Sequence, residues 1–518
     1  MKRLSIFAVL LFTLTSSISA SAAQWAPFDG ETFAGGSRVQ LIDSNGAFSS
    51  QSAISIVRTN KDGGGNSSSV CGTWGLNPCK AGVPTVNFYA TIVFPLCKDQ
   101  TQSYCVSGVN IYKTNSPAAP ATYIGKTLSS EFLAIPDVGL PEAGTPLVFK
   151  APGVSHTGGS ELYYVAAVAE LNFNQKSKKF EYLKFAVSVI PFTTKPISGA
   201  APALSPIEPG TKVPGPVVGN TVYTSNEFSA NRPVALISET EQLEMHDFAK
   251  ETRVGVQVNL PSTANGWFSG RVGDPEISLT PVSSRLNSLL LDGSALEAHR
   301  VAVEIPKGVI TPQMKILGWK GGGGVALESA GDENTLAWLS DLLPYTKDTN
   351  SGTATVWNLR STETDSPCFP KNKFNGIVTT NAAVYSKEPP KLKNGSLNYQ
   401  VGSFHLNRDK TVAKGSYDLI LDADIARCLY KFSKAPFEAT VSVTDSGSGE
   451  IEYATSIVSQ SKGWLKVSAN NFHFSNPVLK VKLTQKKITI TCVSKSNSKL
   501  KKTVTSASPK CPTGYTKR

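Results

Sequence analysis

The last 33 residues, Lys486 to Arg518, carry nine cations and no acid, with two cysteines among them. The cations are Lys486, Lys487, Lys495, Lys499, Lys501, Lys502, Lys510, Lys517 and Arg518. Their chemistry is ionic recognition. An acid-free array of exposed ammonium groups attracts an anionic surface and releases it as salt rises. Cys492 and Cys511 enclose five of the nine and could close them into a ring. The whole chain has 51 Lys and Arg against 39 Asp and Glu, a net of +12. The tail holds nine of those charges and Lys2 and Arg3 hold two, which leaves +1 for residues 23–485. The chain is not basic throughout; its end is. The partners expected from this are an anionic wall polymer or membrane surface, with nucleic acid bound only without specificity. A solvated, solubilising face is the plainer reading of the same residues.

Other chemistry is harder to find. The sequence contains no G-x-S-x-G, no H-E-x-x-H, no G-x-x-x-x-G-K-[ST] and no EF-hand loop. "KGGGGVALES" (320–329) is glycine-rich but lacks the Lys-Ser/Thr of a phosphate cradle, and reads as a flexible turn. "SNSK" (496–499) fits S-x-x-K, but it lies among turn-forming residues with no helix to present it. Glycosidases need only two carboxylates. Asp422 with Asp424, or Asp332 with Glu333, could be named; a strand edge and a helix N-terminus explain them equally well. The five histidines, at 156, 246, 299, 405 and 473, lie far apart, and there is no C-x-x-C, so no metal site or cofactor is expected. Exported all-β proteins often bind glycans, on which exposed Trp side chains stack. Trp267 and Trp464 sit beside turn glycines and are the candidate stacking residues.

The other end indicates where the chain works. Lys2 and Arg3, the apolar run "LSIFAVLLFTLT", and Ala20 and Ala22 spaced as A-x-A read as a signal peptide over 1–22. Export into an oxidising space makes disulfides the default for Cys71, Cys79, Cys97, Cys105, Cys368, Cys428, Cys492 and Cys511. Spacing alone leaves the connectivity open. Nearness favours Cys71–Cys79, Cys97–Cys105, Cys368–Cys428 and Cys492–Cys511.

Elements must position these groups, and the pattern is that of strands. "TVNFYATIVF" (85–94), "ELYYVAAVAEL" (161–171), "KFEYLKFAVSVIPF" (179–192), "RVGVQVNL" (253–260), "RVAVEI" (300–305), "EATVSV" (438–443) and "VLKVKL" (478–483) are rich in branched and aromatic residues. Helical spacing is clear only in "DENTLAWLSDLL" (332–343), with Leu336, Leu339 and Leu343; "ETEQLEMHDFA" (239–249) is a weaker helical candidate. The stretch 193–220 holds six prolines in 28 residues and reads as a linker. The expected class is all-β: several β-sandwich-like domains with one short helix. The expected divisions are an N-terminal β domain (23–192), the linker (193–220), a middle β domain (221–390), a β-sandwich-like domain (391–485) and a small disulfide-closed basic hairpin (486–518).

Several stretches carry a resemblance. They are "VNLPSTANGWFSGRVGDPEISL" (258–279), "FNGIVTTNAAVYSKEPPKLKNGSLNYQVGSFH" (374–405), "GSYDLILDADIARCLYKFSKAPFEATVSV" (415–443), "KGWLKVSANNFHFSNPVLKVKLTQ" (462–485) and the closing "ITCV…PKCPTGYTKR". Together they resemble a family of secreted, multi-domain actinobacterial proteins whose tail reads TITCVKGK…KCPxGYKKK. The likeness covers about 220–518. It implies an extracellular or cell-wall setting and a tail that acts as a portable module. This chain departs at Thr516, where the pattern has Lys. The function expected is a non-catalytic cell-envelope protein, retained by its basic tail, with β domains that bind a glycan or a surface protein. The alternative is an extracellular hydrolase acting on polysaccharide or peptidoglycan.

Overall fold

Branched and aromatic side chains at every second position place one strand face on a core and leave the other to solvent. The computed structural model follows that rule in Leu296–Ile305 and departs from it in the central strands, which are buried on both faces. It describes residues 36–43, 52–59, 66–71, 86–129, 131–196, 204–206, 217–218, 221–223, 237–238, 240–316, 324–332, 335–364, 366–371, 373–432, 437–445, 451–453, 455–461, 463–474, 477–485 and 487–518. The expected signal peptide, most of the Pro-rich stretch, Cys79 and Lys486 lie outside these residues.

The protein is all-β. Its longest hairpin pairs Leu162–Asn174 with Lys179–Pro196, two runs dense in branched and aromatic residues that are buried on both faces over much of their paired length. The Asn174 side chain closes the turn, accepting from Lys176 N–H at 2.8 Å, and Lys178 takes a left-handed φ of 57°. This hairpin belongs to a large sheet that runs through most of the chain. A four-stranded sheet, in the order Gly273–Ser283, Leu286–Ser294, Thr252–Pro261 and Cys105–Lys113, lies against it. Ile111, Val256 and Leu289 of the smaller sheet share a core with Val165, Val187 and Trp357 of the larger. A second core sets Tyr399, Val441 and Val481 of a six-stranded sheet against Val378, Leu419 and Val467. Two sandwiches thus share one continuous sheet.

Strand ladders cross the expected domain divisions before residue 485. Cys105–Lys113, from the supposed N-terminal domain, hydrogen-bonds along Thr252–Pro261. Lys179–Pro196 pairs with Gly352–Thr362, and Ser37–Ile42 pairs with Leu296–Ile305 and Gly324–Ser329. The boundary near 390 is crossed as well: Phe374–Thr380 pairs with Lys414–Asp422, and Val384–Tyr385 with Ser396–Gly402. The Pro-rich stretch itself enters ladders where it is described: 193–196 pairs along Glu241–Met245, and Leu204–Pro206 and Val217–Val218 pair with Thr221–Tyr223. Its prolines say nothing about which strands on either side of it find one another.

Three short α-helices are present among the described residues, not one: Pro312–Ile316, Leu336–Thr346 and Ala423–Tyr430. The second was expected a few residues earlier. It buries Trp338, Leu339 and Leu342 against Val39, Val301 and Val303. The third is capped by Asp422, whose side chain accepts from the N–H groups of Asp424 and Ile425. The described part of the run 239–249, residues 240–249, is not helical. Glu241–Met245 adds a strand to the end of the long hairpin, Glu241 opposite Pro196 and Met245 opposite Phe192, and Leu243 is buried there. A waiting strand edge outweighs a weak helical spacing.

Three of the four expected disulfides are formed: Cys97–Cys105, Cys368–Cys428 and Cys492–Cys511. The fourth lies outside the described residues. Cys368–Cys428 closes a loop across 60 positions and ties the helix Ala423–Tyr430 to the segment before Phe374–Thr380. Chain entropy puts its stabilisation at roughly 4 kcal/mol. Because ladders cross every expected boundary up to residue 485, Cys368→Ala with Cys428→Ala should lower the melting of the whole body in one transition. Differential scanning calorimetry checks this; a second transition left at its original temperature would show separable domains after all.

Candidate functional site

The tail is a sheet of its own. Ile488–Ser494 lies between Lys501–Ser506 and Tyr515–Lys517, all antiparallel, and none of the three hydrogen-bonds to another sheet among the described residues. The alternating "ITITCV" and "KKTVTS" runs dictate the hairpin. Asn497 closes its loop, accepting from Lys499 N–H at 3.0 Å through its side chain. The third strand follows Gly514, whose φ of 85° suits a residue without Cβ. Lys495 N–H donates to Gly514 O at 2.9 Å, which locks the return.

Side chains on neighbouring strands share a face when they stand opposite one another. One face carries Ile488, Ile490, Cys492, Lys502, Val504, Tyr515 and Lys517. The other carries Thr489, Thr491, Thr503, Thr505 and Thr516, with Lys501. Thr489 and Thr505 join hydroxyls across the strands at 2.8 Å. Only Ile490 and Cys492 are buried among the described tail residues. So small a core needs the Cys492–Cys511 staple, worth roughly 3 kcal/mol by chain entropy. Lys487, Lys495, Lys499, Lys501, Lys502, Lys510, Lys517 and Arg518 are all exposed. Lys502 Nζ sits 4.9 Å from the Tyr515 ring centroid, a cation–π contact that steadies one ammonium without neutralising it. Among the described residues no ion pair involves the tail. The array can therefore do one thing chemically: present a concentrated, fixed positive charge.

The body contrasts with this, because its buried cations are matched by acids. Arg253 reaches Asp292 at 2.5 Å, Asp274 at 3.0 Å and Glu276 at 3.1 Å. Lys466 pairs with Asp274, and Asp274 N–H donates to Asp418 at 3.2 Å. Burial raises the Asp292 carboxyl despite Arg253, and burial raises Asp418 despite the hydroxyl of Ser468 and the charge of Lys466. Burial pushes Asp274 the same way, but Lys466 and Arg253 outweigh it and hold Asp274 below its usual value. Two neighbouring carboxyls pushed apart in this way resemble an acid–base pair. Here each is engaged in holding strands: the cluster joins the four-stranded sheet, through Arg253, Asp274 and Asp292, to Lys414–Asp422 and Trp464–His473 of the large one. Positions so scattered, from 253 to 466, gave no sequence signal. The carboxylates noted at sequence level have structural tasks too: Asp422 caps a helix and pairs with Lys373, Asp424 pairs with Arg427, and Asp332 pairs with Lys387. Glu333 lies outside the described residues.

Trp267 is not a surface platform. It is fully buried, edge-on to Phe369 at 6.1 Å, and a Cβ at Gly376 would come within 2.5 Å of its ring. The neighbouring Gly266 lets the strand turn inward rather than marking an exposed bend; its φ is 140°. Trp464 is half-buried and packs against the first core. Among the described residues no group of three His, Cys, Asp or Glu side chains is placed to hold a metal, and no helix is long and apolar enough to cross a membrane. The chain matches no protein-family model, no curated protein and no solved structure.

Two histidines far apart in sequence do meet. His156 and His246 stack at 5.2 Å. His156 Nε2 lies 2.9 Å from Phe192 O and its Nδ1 accepts from Gly158 N–H, the pattern of a neutral ring. Burial, against the Phe192 contact and with His246 adding to it, lowers His156 to about 4; burial and then Arg271 lower His299 to about 4. Both folded values are depressed from 6.5, so the unfolded chain binds protons first. The stability they contribute is present above about pH 6.5 and is lost as pH falls toward about 4. His156→Asn should therefore flatten the fall in melting temperature across that window. An unchanged slope would mean that His156 is not held neutral.

Proposed function

We propose that this chain is a non-catalytic, exported protein of the cell envelope, held to an anionic wall polymer or membrane surface by its tail. The observation that carries the reading is the tail sheet: eight exposed cations, no acid, one disulfide, and no ladder to any other sheet among the described residues. A near-neutral body beside so basic an appendage concentrates the attraction in one place. Three disulfides suit an oxidising space outside the cytoplasm. The resemblance to secreted actinobacterial proteins, and the signal-like start, point to the same setting. In this reading the two sandwiches are the modules that meet a glycan or a surface protein, while the tail supplies retention.

The test is retention on isolated cell walls and on anionic vesicles over a salt series. The intact mature protein should bind and then detach as salt rises, since exposed charges are screened over about 8 Å at physiological ionic strength. Deleting 486–518 should abolish the salt-dependent binding. Replacing Lys499, Lys501 and Lys502 with Gln should remove a large part of it and leave the body folded. A truncated protein that binds as tightly as the intact one at every salt would assign retention to the sheets of the body instead.

A further inference from the structure

An exposed apolar side chain sits inside the charged array. Leu500 is 53% exposed at the end of the loop joining Ile488–Ser494 to Lys501–Ser506. Its position is fixed by the backbone. Leu500 N–H donates to Asn497 O at 3.0 Å, and Ser494 N–H donates to Leu500 O at 3.0 Å. Leu500 thus extends the ladder by one pair, and alternation places it on the face that carries Lys502 and Tyr515. Tyr515 stands opposite Ser494 on the far side, so one row across the sheet reads Leu500, Ser494, Tyr515. Lys495, Lys499 and Lys501 border this end of the sheet, and all three are exposed.

A soluble polyanion is gripped by charge and gains nothing from an exposed leucine. A bilayer surface offers partners for every group in the row: phosphates for the lysines, the acyl boundary for leucine, and the interface that tyrosine favours. Polybasic attraction and apolar insertion are each weak alone and hold together. Resting on the reading of the tail as an electrostatic foot, we infer that its partner is an anionic lipid bilayer. The loop 495–500 enters the headgroup layer with Leu500 deepest, Tyr515 lies at headgroup level, and the surrounding lysines meet lipid phosphates. Attachment is peripheral and reversible.

The experiment compares the intact mature protein with Leu500→Ser and Leu500→Trp on three probes: vesicles containing phosphatidylglycerol, vesicles of phosphatidylcholine alone, and a soluble polyol-phosphate polymer. The inference expects Leu500→Ser to weaken binding to the anionic vesicles about tenfold, from loss of a partly buried leucine, and to leave polymer binding unchanged. Leu500→Trp should keep vesicle binding and add tryptophan fluorescence that bromine-labelled acyl chains quench beyond the parent's. Leu500 is exposed, so neither change threatens the fold. Vesicle binding untouched by Leu500→Ser, or vesicle and polymer binding falling together, would overturn the inference while the foot reading stands. A tail-deleted protein that binds each of the three probes as tightly as the intact one does would overturn both.

Discussion

Arg271 is 1% exposed, and burying a guanidinium costs several kcal/mol unless each donor is answered. Here the answers come from distant parts of the chain. Its Nε faces Asp43 at 3.2 Å, its Nη1 donates to the carbonyls of Thr380, at 2.9 Å, and Ala382, and its Nη2 donates to Ala383 O at 3.1 Å. The guanidinium carbon lies 4.5 Å from the Tyr385 ring centroid, and the Tyr385 hydroxyl donates back to Asp43 at 3.3 Å. A planar fork with a ring face beneath it is a task for Arg and not for Lys. The arrangement forms only if the end of Ser37–Ile42, the end of Gly266–Arg271 and the turn after Phe374–Thr380 arrive together. One buried charge therefore ties the ends of three distant stretches together within the shared sheet.

The same electrostatic rule explains the contrast between body and tail. In the body, the buried guanidinium groups of Arg253 and Arg271 are matched by carboxylates. In the tail, charge is left in water and unmatched, and the strands that carry it are closed by their own hydrogen bonds and one disulfide. A basic patch set within the body's sheets would stand beside their carboxylates and lose its field. Placed on a separate small sheet it keeps that field, as the proposed retention at an anionic surface requires.

Local pattern made much of this legible. The long hairpin was readable because its two runs are dense in branched and aromatic residues, and the tail hairpin because "ITITCV" and "KKTVTS" alternate. Three disulfides followed nearness in sequence. What escaped were facts about distant partners. Nothing in 105–113 names 252–261 as its neighbour, and nothing in 239–249 shows that a strand edge is waiting for it. Trp267 was misread because a glycine beside an aromatic marks an exposed turn in one context and a close approach in another; Gly376, more than a hundred residues away, decided which. The helix Ala423–Tyr430 was announced by its Asp422 cap, but the apolar run before it disguised the cap as a strand end.

In the proposed attachment the tail sheet alone meets the anionic surface while the shared-sheet body stays as it is. Hydrogen–deuterium exchange of the full mature protein, free and bound to anionic vesicles or cell walls, tests it most directly. The account predicts added protection confined to 488–518, strongest around the loop 495–500, with exchange in the sheets up to residue 485 unchanged. Protection gained in those sheets, with the tail exchanging as it does in the free protein, would contradict it.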